Sequence, residues 1–251
     1  TFIGGVRRGV NDNFNYKGVN IGARFYSVIR DLKGATDDDA KKIILVVTSG
    51  SAILVTDEIK FVDAIVQAWY PGQRGGTALA ELLFGLASPS GRLPVTVFRS
   101  AADLPDFENY SMEGRTYRYY RGEPLYEFGY GLSYTTFRYD DVRMSAEEVN
   151  PGDTLRLFVR VTNTGTAGGH EVVQAYVNRP DDDRTNRSLC AFARVLIPAG
   201  GTVDVEMTLY PEQLRSFDDS AGALRIRPGR YRIGVGSSSA DIRLESGFSV
   251  H

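Results

Sequence analysis

The chain has 251 residues, 42% of them apolar, and its 29 Lys+Arg against 31 Asp+Glu leave a formal charge of −2. That length can hold two ordinary cores, and near-neutrality supplies no field to attract nucleic acid or anionic lipid. The longest apolar runs, such as IILVV at Ile43–Val47, fall far short of the roughly 20 residues a bilayer requires, and the single cysteine, Cys190, excludes a disulfide scaffold, so neither nucleic acid nor membrane is expected as a partner.

In chain order, TFIGGVRRGV shows no charged segment followed by an apolar one, and its FIGG (Phe2–Gly5) reads as a strand end entering a loop. The start is therefore expected in mid-domain, with any export signal absent or already removed. The acidic run TDDDAKK (Thr36–Lys42) reads as a solvated helix start, because it lacks the glycine and distal glutamate of a calcium loop. KKIILVVTSG (Lys41–Gly50) and DAIVQAW (Asp63–Trp69) have the unbroken apolar character of strands buried on both faces of a parallel sheet. TSGSA (Thr48–Ala52) is expected to be a tight turn exposing Ser49 and Ser51, and it matches neither phosphate-loop pattern. AWYPGQRGG (Ala68–Gly76) then leads to a helix over Thr77–Gly85, with Leu79, Leu82 and Leu83 on one face, Thr77 as its cap and Gly85 as its left-handed end. The pattern predicts an α/β layer, an open and mostly parallel sheet flanked by helices, up to about residue 100.

Residues 103–138 form a connector dense in Tyr, Gly and Pro that cannot be one regular element. Its Tyr117, Tyr119, Tyr120, Tyr126, Tyr130 and Tyr134 read either as faces for stacking sugars or, the stronger reading, as packing in a seam between two domains. From Phe137 the period becomes two: Leu155, Leu157, Val159 and Val161 alternate with Thr154, Arg156, Arg160 and Thr162, and four later segments repeat the theme between turn residues. An antiparallel β-sandwich is predicted, with the boundary near Arg138–Asp141 and domains at 1–138 and 139–251.

The chemistry is narrowed by what is scarce. With only His170 and His251, a Ser-His-Asp or Cys-His arrangement has little to draw on, and neither HExxH nor CxxC occurs; no metal and no cofactor are expected. Carboxylates and aromatics remain, which suit glycoside hydrolysis, where two carboxyl groups flank the scissile bond. Possession of 31 acidic residues is by itself no evidence for such a pair.

The succession AWYPGQRGGTALAELLFG, SPSGRLPVTV, the connector from DLPDF to GLSYTTF, and VRVTNTGTAGGHEVVQAYV resembles the C-terminal half of glycoside hydrolase family 3, in the manner of bacterial β-xylosidases and β-glucosidases. The resemblance spans about Lys41–Val250. It implies an α/β sandwich followed by a fibronectin III or immunoglobulin-like domain, placed after a TIM barrel that carries the nucleophilic aspartate. By the same resemblance, AWYPGQRGG is a loop at the carboxyl end of a sheet strand, where open α/β sheets present residues to ligands. Trp69 and Tyr70 are the candidate substrate contacts there, with wedging of the loop as the favoured role of Trp69.

The resemblance breaks in two places. A barrel needs about 250 residues of its own, so the nucleophile is expected on a TIM-barrel domain supplied in cis or in trans. Members of the family follow FIGG with a glutamate-rich word that supplies the acid/base, whereas here VRRGVNDNFN places Asn11 and Asn13 at the glutamate positions. Asn cannot deliver a proton, and Asp12, the nearest carboxylate, is the acid/base candidate. Two functions follow: the C-terminal part of an exo-acting retaining β-glycosidase acting on β-linked oligosaccharides or aryl glycosides, or a non-catalytic carbohydrate-associated module. The chain alone is expected to be inactive. An α/β domain without its barrel should expose an apolar face, which predicts a homo-oligomer or a partner. Family habit points to the periplasm or secretion.

Overall fold

The computed structural model describes residues 2–4, 42–180, 182 and 185–251. Asn11, Asp12, Asn13 and the acidic run before Lys42 lie outside the described residues.

In the first half, β2 (Ile44–Val47) pairs in parallel with β3 (Ala64–Gln67), and β1 (Phe2–Gly4) pairs antiparallel on the other side of β3. Burial on both faces holds for the central β3, whose four residues are all buried. It does not hold for β2, where Ile44 is 42% exposed, because among the described residues β2 lies at the sheet edge. The segment Leu93–Val97 then meets the returning connector: Leu93 N donates to Tyr130 O and Val97 N to Tyr126 O, each at 2.8 Å. The connector is thus a loop pinned at its base, and its only α-helical piece is one turn, Thr116–Tyr119.

The second half follows the alternation closely. Strand β6 (Leu155–Asn163) sits between β4 (Phe137–Met144) and β9 (Thr202–Leu209). Facing this sheet is a second one, ordered β5 (Glu148–Val149), β13 (Ile242–Val250), β12 (Gly229–Gly236), β7 (Gly169–Asn178) and β8 (Ser188–Ile197). Leu155, Leu157, Val159 and Val161 are at most 1% exposed, as are Val173, Val177, Ile233 and Val235 opposite them; each such side chain contributes about 1.5–3 kcal/mol. The Tyr231 ring stacks on Phe248 with centroids 5.2 Å apart, and its hydroxyl donates to Arg227 O at 2.9 Å, a tyrosine corner that lets a core phenol keep a partner. The β13–β5 pair is parallel, a departure from the all-antiparallel expectation.

A polar seam joins the halves. Arg92 Nη2 meets Glu171 Oε1 at 2.7 Å with side chains 9% and 3% exposed. Gln174 Nε2 donates to Gly129 O and Ser237 O, while Tyr176 donates to Gln174 Oε1 at 2.6 Å. Gly129 has φ +85°, and a Cβ there would lie 2.2 Å from Gln174 Oε1; only glycine fits. Tyr117 stacks on Phe128 at 4.3 Å and meets Tyr176 edge-on, and Asn186 Nδ2 donates to the carbonyls of Tyr117 and Tyr120. Tyr126 and Tyr130 stack at 5.3 Å, and burial pushes the Tyr126 phenol up to about 12. Tyr117, Tyr126 and Tyr130 are packing groups.

A lone buried charge is far costlier than a matched pair or an apolar replacement. Glu171→Ala is expected to destabilise the chain by about 3–5 kcal/mol, and Arg92→Met with Glu171→Leu together by much less. Cys190 offers the readout: burial holds its thiol up at about 12 and it donates to Ala175 O at 3.2 Å, so it labels only when the sandwich opens. Equal labelling rates in the single and double variants would refute the role given to the pair.

Candidate functional site

Because β2 and β3 are parallel, their carboxyl ends open at one edge of the sheet, and Ala68 N donating to Val47 O at 2.8 Å is the last rung. Two loops leave from this rung, Thr48–Ala52 and Ala68–Gly76. Ser51 is exposed as expected, but Ser49 is buried: its Oγ donates to Ser51 O at 2.8 Å and accepts from Gln67 Nε2 at 3.1 Å. A polar residue at the end of the buried strand needed an acceptor, and Ser49 turns inward to supply it.

Trp69 adopts φ +56°, a left-handed conformation that costs a bulky residue energy. Its half-buried ring packs against the cluster of Val47, Val55, Val62, Ile65, Leu93 and Val97, so packing offsets the strain. The cavity beneath, lined by Ile65, Gln67, Trp69 and Leu93 among others, has about 10 Å³, room for no more than a single water. The backbone twist turns the next residue outward: Tyr70 is 76% exposed. Its ring lies over Gly50, where a Cβ would come within 2.8 Å of Tyr70 Cε2.

Helix α1 (Gly75–Leu83) starts earlier than the sequence suggests, with Arg74 at the cap position and no side-chain cap. Thr77 is therefore inside the first turn and does not cap. The cause is the fold-back of the loop: a Cβ on Gly75 would lie 2.4 Å from Pro71 Cβ, so the glycine lets the helix begin against the proline. Gly85 takes φ +74° at the far end, as expected. No residue of α1 is buried, and beyond it Phe84 and Leu86 are 81% and 80% exposed.

The connector adds two more bare aromatics. Arg115 donates to Ser111 O, Asp106 O and Asn109 O at 3.1, 3.1 and 2.7 Å, gathering the loop around one guanidinium. Phe107 and Tyr110 stand out of that loop at 97% and 95% exposure. The sequence reading passed over Phe84, Leu86, Phe107 and Tyr110; large apolar side chains among Asp, Glu, Asn and Gly were the available signal.

Chemically, the rim offers an aromatic face, a serine hydroxyl and one cation, Arg74, and neither of its loops carries a carboxylate. It can hold a ligand but cannot transfer a proton by itself. Among the described residues no cluster of three His, Cys, Asp or Glu could hold a metal ion, and no helix is long and apolar enough to cross a membrane.

A family model described as the glycosyl hydrolase family 3 C-terminal domain matches residues 20–134, and one described as a fibronectin type III-like domain matches residues 171–239. The chain is 45% identical over 215 residues to a xylan 1,4-beta-xylosidase of Xylanibacter ruminicola, covering 85% of this chain and 25% of that protein. It is 34% identical over 222 residues to a beta-glucosidase of Bacteroides ovatus, covering 81% of this chain and 30% of that one. Among solved structures, beta-glucosidase 3B from Thermotoga neapolitana in complex with alpha-D-glucose superposes with a TM-score of 0.81 at 33% identity, over 95% of this chain and 35% of that chain. The chain thus spans a quarter to about a third of the relatives it matches.

The strain at Trp69 has a measurable signature. Glycine is ordinarily about 0.5–1 kcal/mol less favourable than alanine inside ordered structure. At φ +56° the order should invert, with Trp69→Gly more stable than Trp69→Ala by about 1 kcal/mol in equilibrium unfolding. The usual order would mean that the backbone there is relaxed.

Proposed function

Because the chain belongs to glycoside hydrolase family 3, of which it carries the C-terminal α/β domain and the fibronectin type III-like domain, we propose that it is the C-terminal part of an exo-acting retaining β-glycosidase. The proposed division is an α/β domain with its connector over 1–138 and a β-sandwich over 139–251. The proposed substrates are terminal β-xylosides ahead of β-glucosides, a preference supported by the 45% identity to a xylan 1,4-beta-xylosidase against 34% to a beta-glucosidase.

Retaining hydrolysis needs a carboxylate nucleophile and a carboxylic acid about 5–5.5 Å apart. In this reading the nucleophile sits on a TIM barrel outside these residues, Asp12 supplies the acid/base, and Tyr70 offers an aromatic face at the rim, with Trp69 holding it in place. The observation that carries the reading is the bare apolar surface of the α/β half, Phe84, Leu86, Phe107 and Tyr110. Exposed apolar groups on rigidly held loops suit a broad partner surface such as the side of a barrel.

The test is hydrolysis of nitrophenyl β-xyloside and β-glucoside by the chain alone and mixed with a family barrel domain. No turnover alone, and turnover in the mixture with the xyloside faster, is expected. Asp12→Ala should then lower kcat by about 10²–10⁴-fold, with partial recovery on adding azide, a small nucleophile that bypasses the missing group. Phe84→Ser and Phe107→Ser should weaken association with the barrel while shifting the chain's own stability by less than about 0.5 kcal/mol. Turnover by the pure chain would overturn the proposal, and silence in both arms with retained sugar binding would favour the non-catalytic module.

A further inference from the structure

We infer that the cleft between the connector and the outer face of the five-stranded sheet binds a carboxylate-bearing saccharide, at a site separate from the rim of β2 and β3. The cleft encloses about 510 Å³, and its lining includes Thr96, Tyr120, Glu127, Arg187 and Arg232. That volume is in the range of pockets that engulf a small organic ligand.

Three features ask for a ligand. Thr96 is only 7% exposed, and its Oγ1 has no hydrogen-bond partner; a buried hydroxyl in that state is rare and unfavourable. Arg187 is half-buried and makes no ion pair or hydrogen bond among the described residues. Room for its guanidinium is left by Gly234, where even a Cβ would approach Arg187 Nη1 to 3.4 Å. Arg232 at the mouth is likewise unpaired among the described residues.

The carboxylates of the cleft are already engaged by neutral donors. Glu127 Oε1 accepts from Ser238 Oγ at 2.8 Å, and Asp182 accepts from the Thr185 amide and hydroxyl at 3.3 and 2.8 Å. Among the described lining residues three arginines, Arg121, Arg187 and Arg232, stand against the two carboxylates, Glu127 and Asp182, so the balance is positive, and a planar guanidinium takes a carboxylate through two parallel hydrogen bonds. A compact anion would satisfy the arginines and leave Thr96 and the aromatic wall unused. A sugar ring bearing a carboxylate would use all of them: carboxylate on Arg187, hydroxyls toward Thr96, an apolar ring face along Tyr120. The walls are already fixed by Asn186, whose amide donates to the carbonyls of Tyr117 and Tyr120 at 2.9 and 2.8 Å, so little ordering remains to oppose binding.

The test is calorimetric titration of the full chain with a glucuronic-acid-substituted xylo-oligosaccharide, the unsubstituted xylo-oligosaccharide, and citrate. The acidic oligosaccharide should bind at least about tenfold more tightly than either of the others, and Arg187→Gln should remove about tenfold or more of that affinity. Thr96→Val keeps the shape of the side chain, so it should weaken binding while leaving Tm equal or higher, the outcome that separates a ligand contact from a structural one. Absence of binding, equal binding of the neutral sugar, or indifference to Arg187→Gln would overturn the assignment. Citrate binding as tightly would replace it with a general anion site. Since binding alone is read, the result is independent of whether the reconstituted enzyme turns over substrate.

Discussion

Arg92 and Glu171 leave water together, 79 residues apart in the chain and 2.7 Å apart in space. Desolvating each charge costs several kcal/mol, and the cost is recovered only when both arrive in register. The same condition applies to Gln174, which spends both amide hydrogens on carbonyls of two different segments and accepts from Tyr176 on its oxygen. A greasy seam would tolerate sliding, since apolar contact is non-directional. This one is directional, because Arg92 must meet Glu171 and the Gln174 amide must meet the carbonyls of Gly129 and Ser237, and so the seam ties the α/β half to the sandwich at defined points.

That constraint governs what the α/β half can present. With the seam occupied by Tyr117, Phe128 and Gly129, the surfaces the described residues of this half present include the rim at the ends of β2 and β3 and the bare groups from Phe84 to Tyr110. Both are held stiffly: the rim by the left-handed Trp69 wedged on the core, the connector loop by the Arg115 guanidinium gathering three carbonyls. Stiff presentation of apolar and aromatic groups lowers the entropy lost when a partner docks.

Different parts of this arrangement were legible in the sequence to different degrees, for physical reasons. The alternation from Leu155 to Val161 could be read because a strand with one wet face writes its burial into every second residue. The family words covered the α/β half even where local reasoning slipped. Thr77 looked like a cap because the apolar period does not reveal that the loop folds back to bring Pro71 against Gly75, four residues on. Ser49 looked exposed because its partner, Gln67, lies on another strand. The connector tyrosines carried two readings until Phe128, Tyr176 and Asn186 came beside them. For Ser49 and the tyrosines the deciding contact is distant in sequence, for Thr77 it is a fold-back of the loop over four residues, and period and propensity carry no record of either.

The sandwich contributes nothing at the rim, yet polar contacts tie it to the α/β half: Arg92 meets Glu171 at 2.7 Å, Gln174 Nε2 donates to Gly129 O at 3.1 Å, and Asn186 Nδ2 donates to the carbonyls of Tyr117 and Tyr120. A β-sandwich next to a loop-rich α/β half therefore has a mechanical part: it anchors the segment at Arg92 and the connector at Tyr117, Tyr120 and Gly129, and a loop already fixed loses less entropy on binding anything.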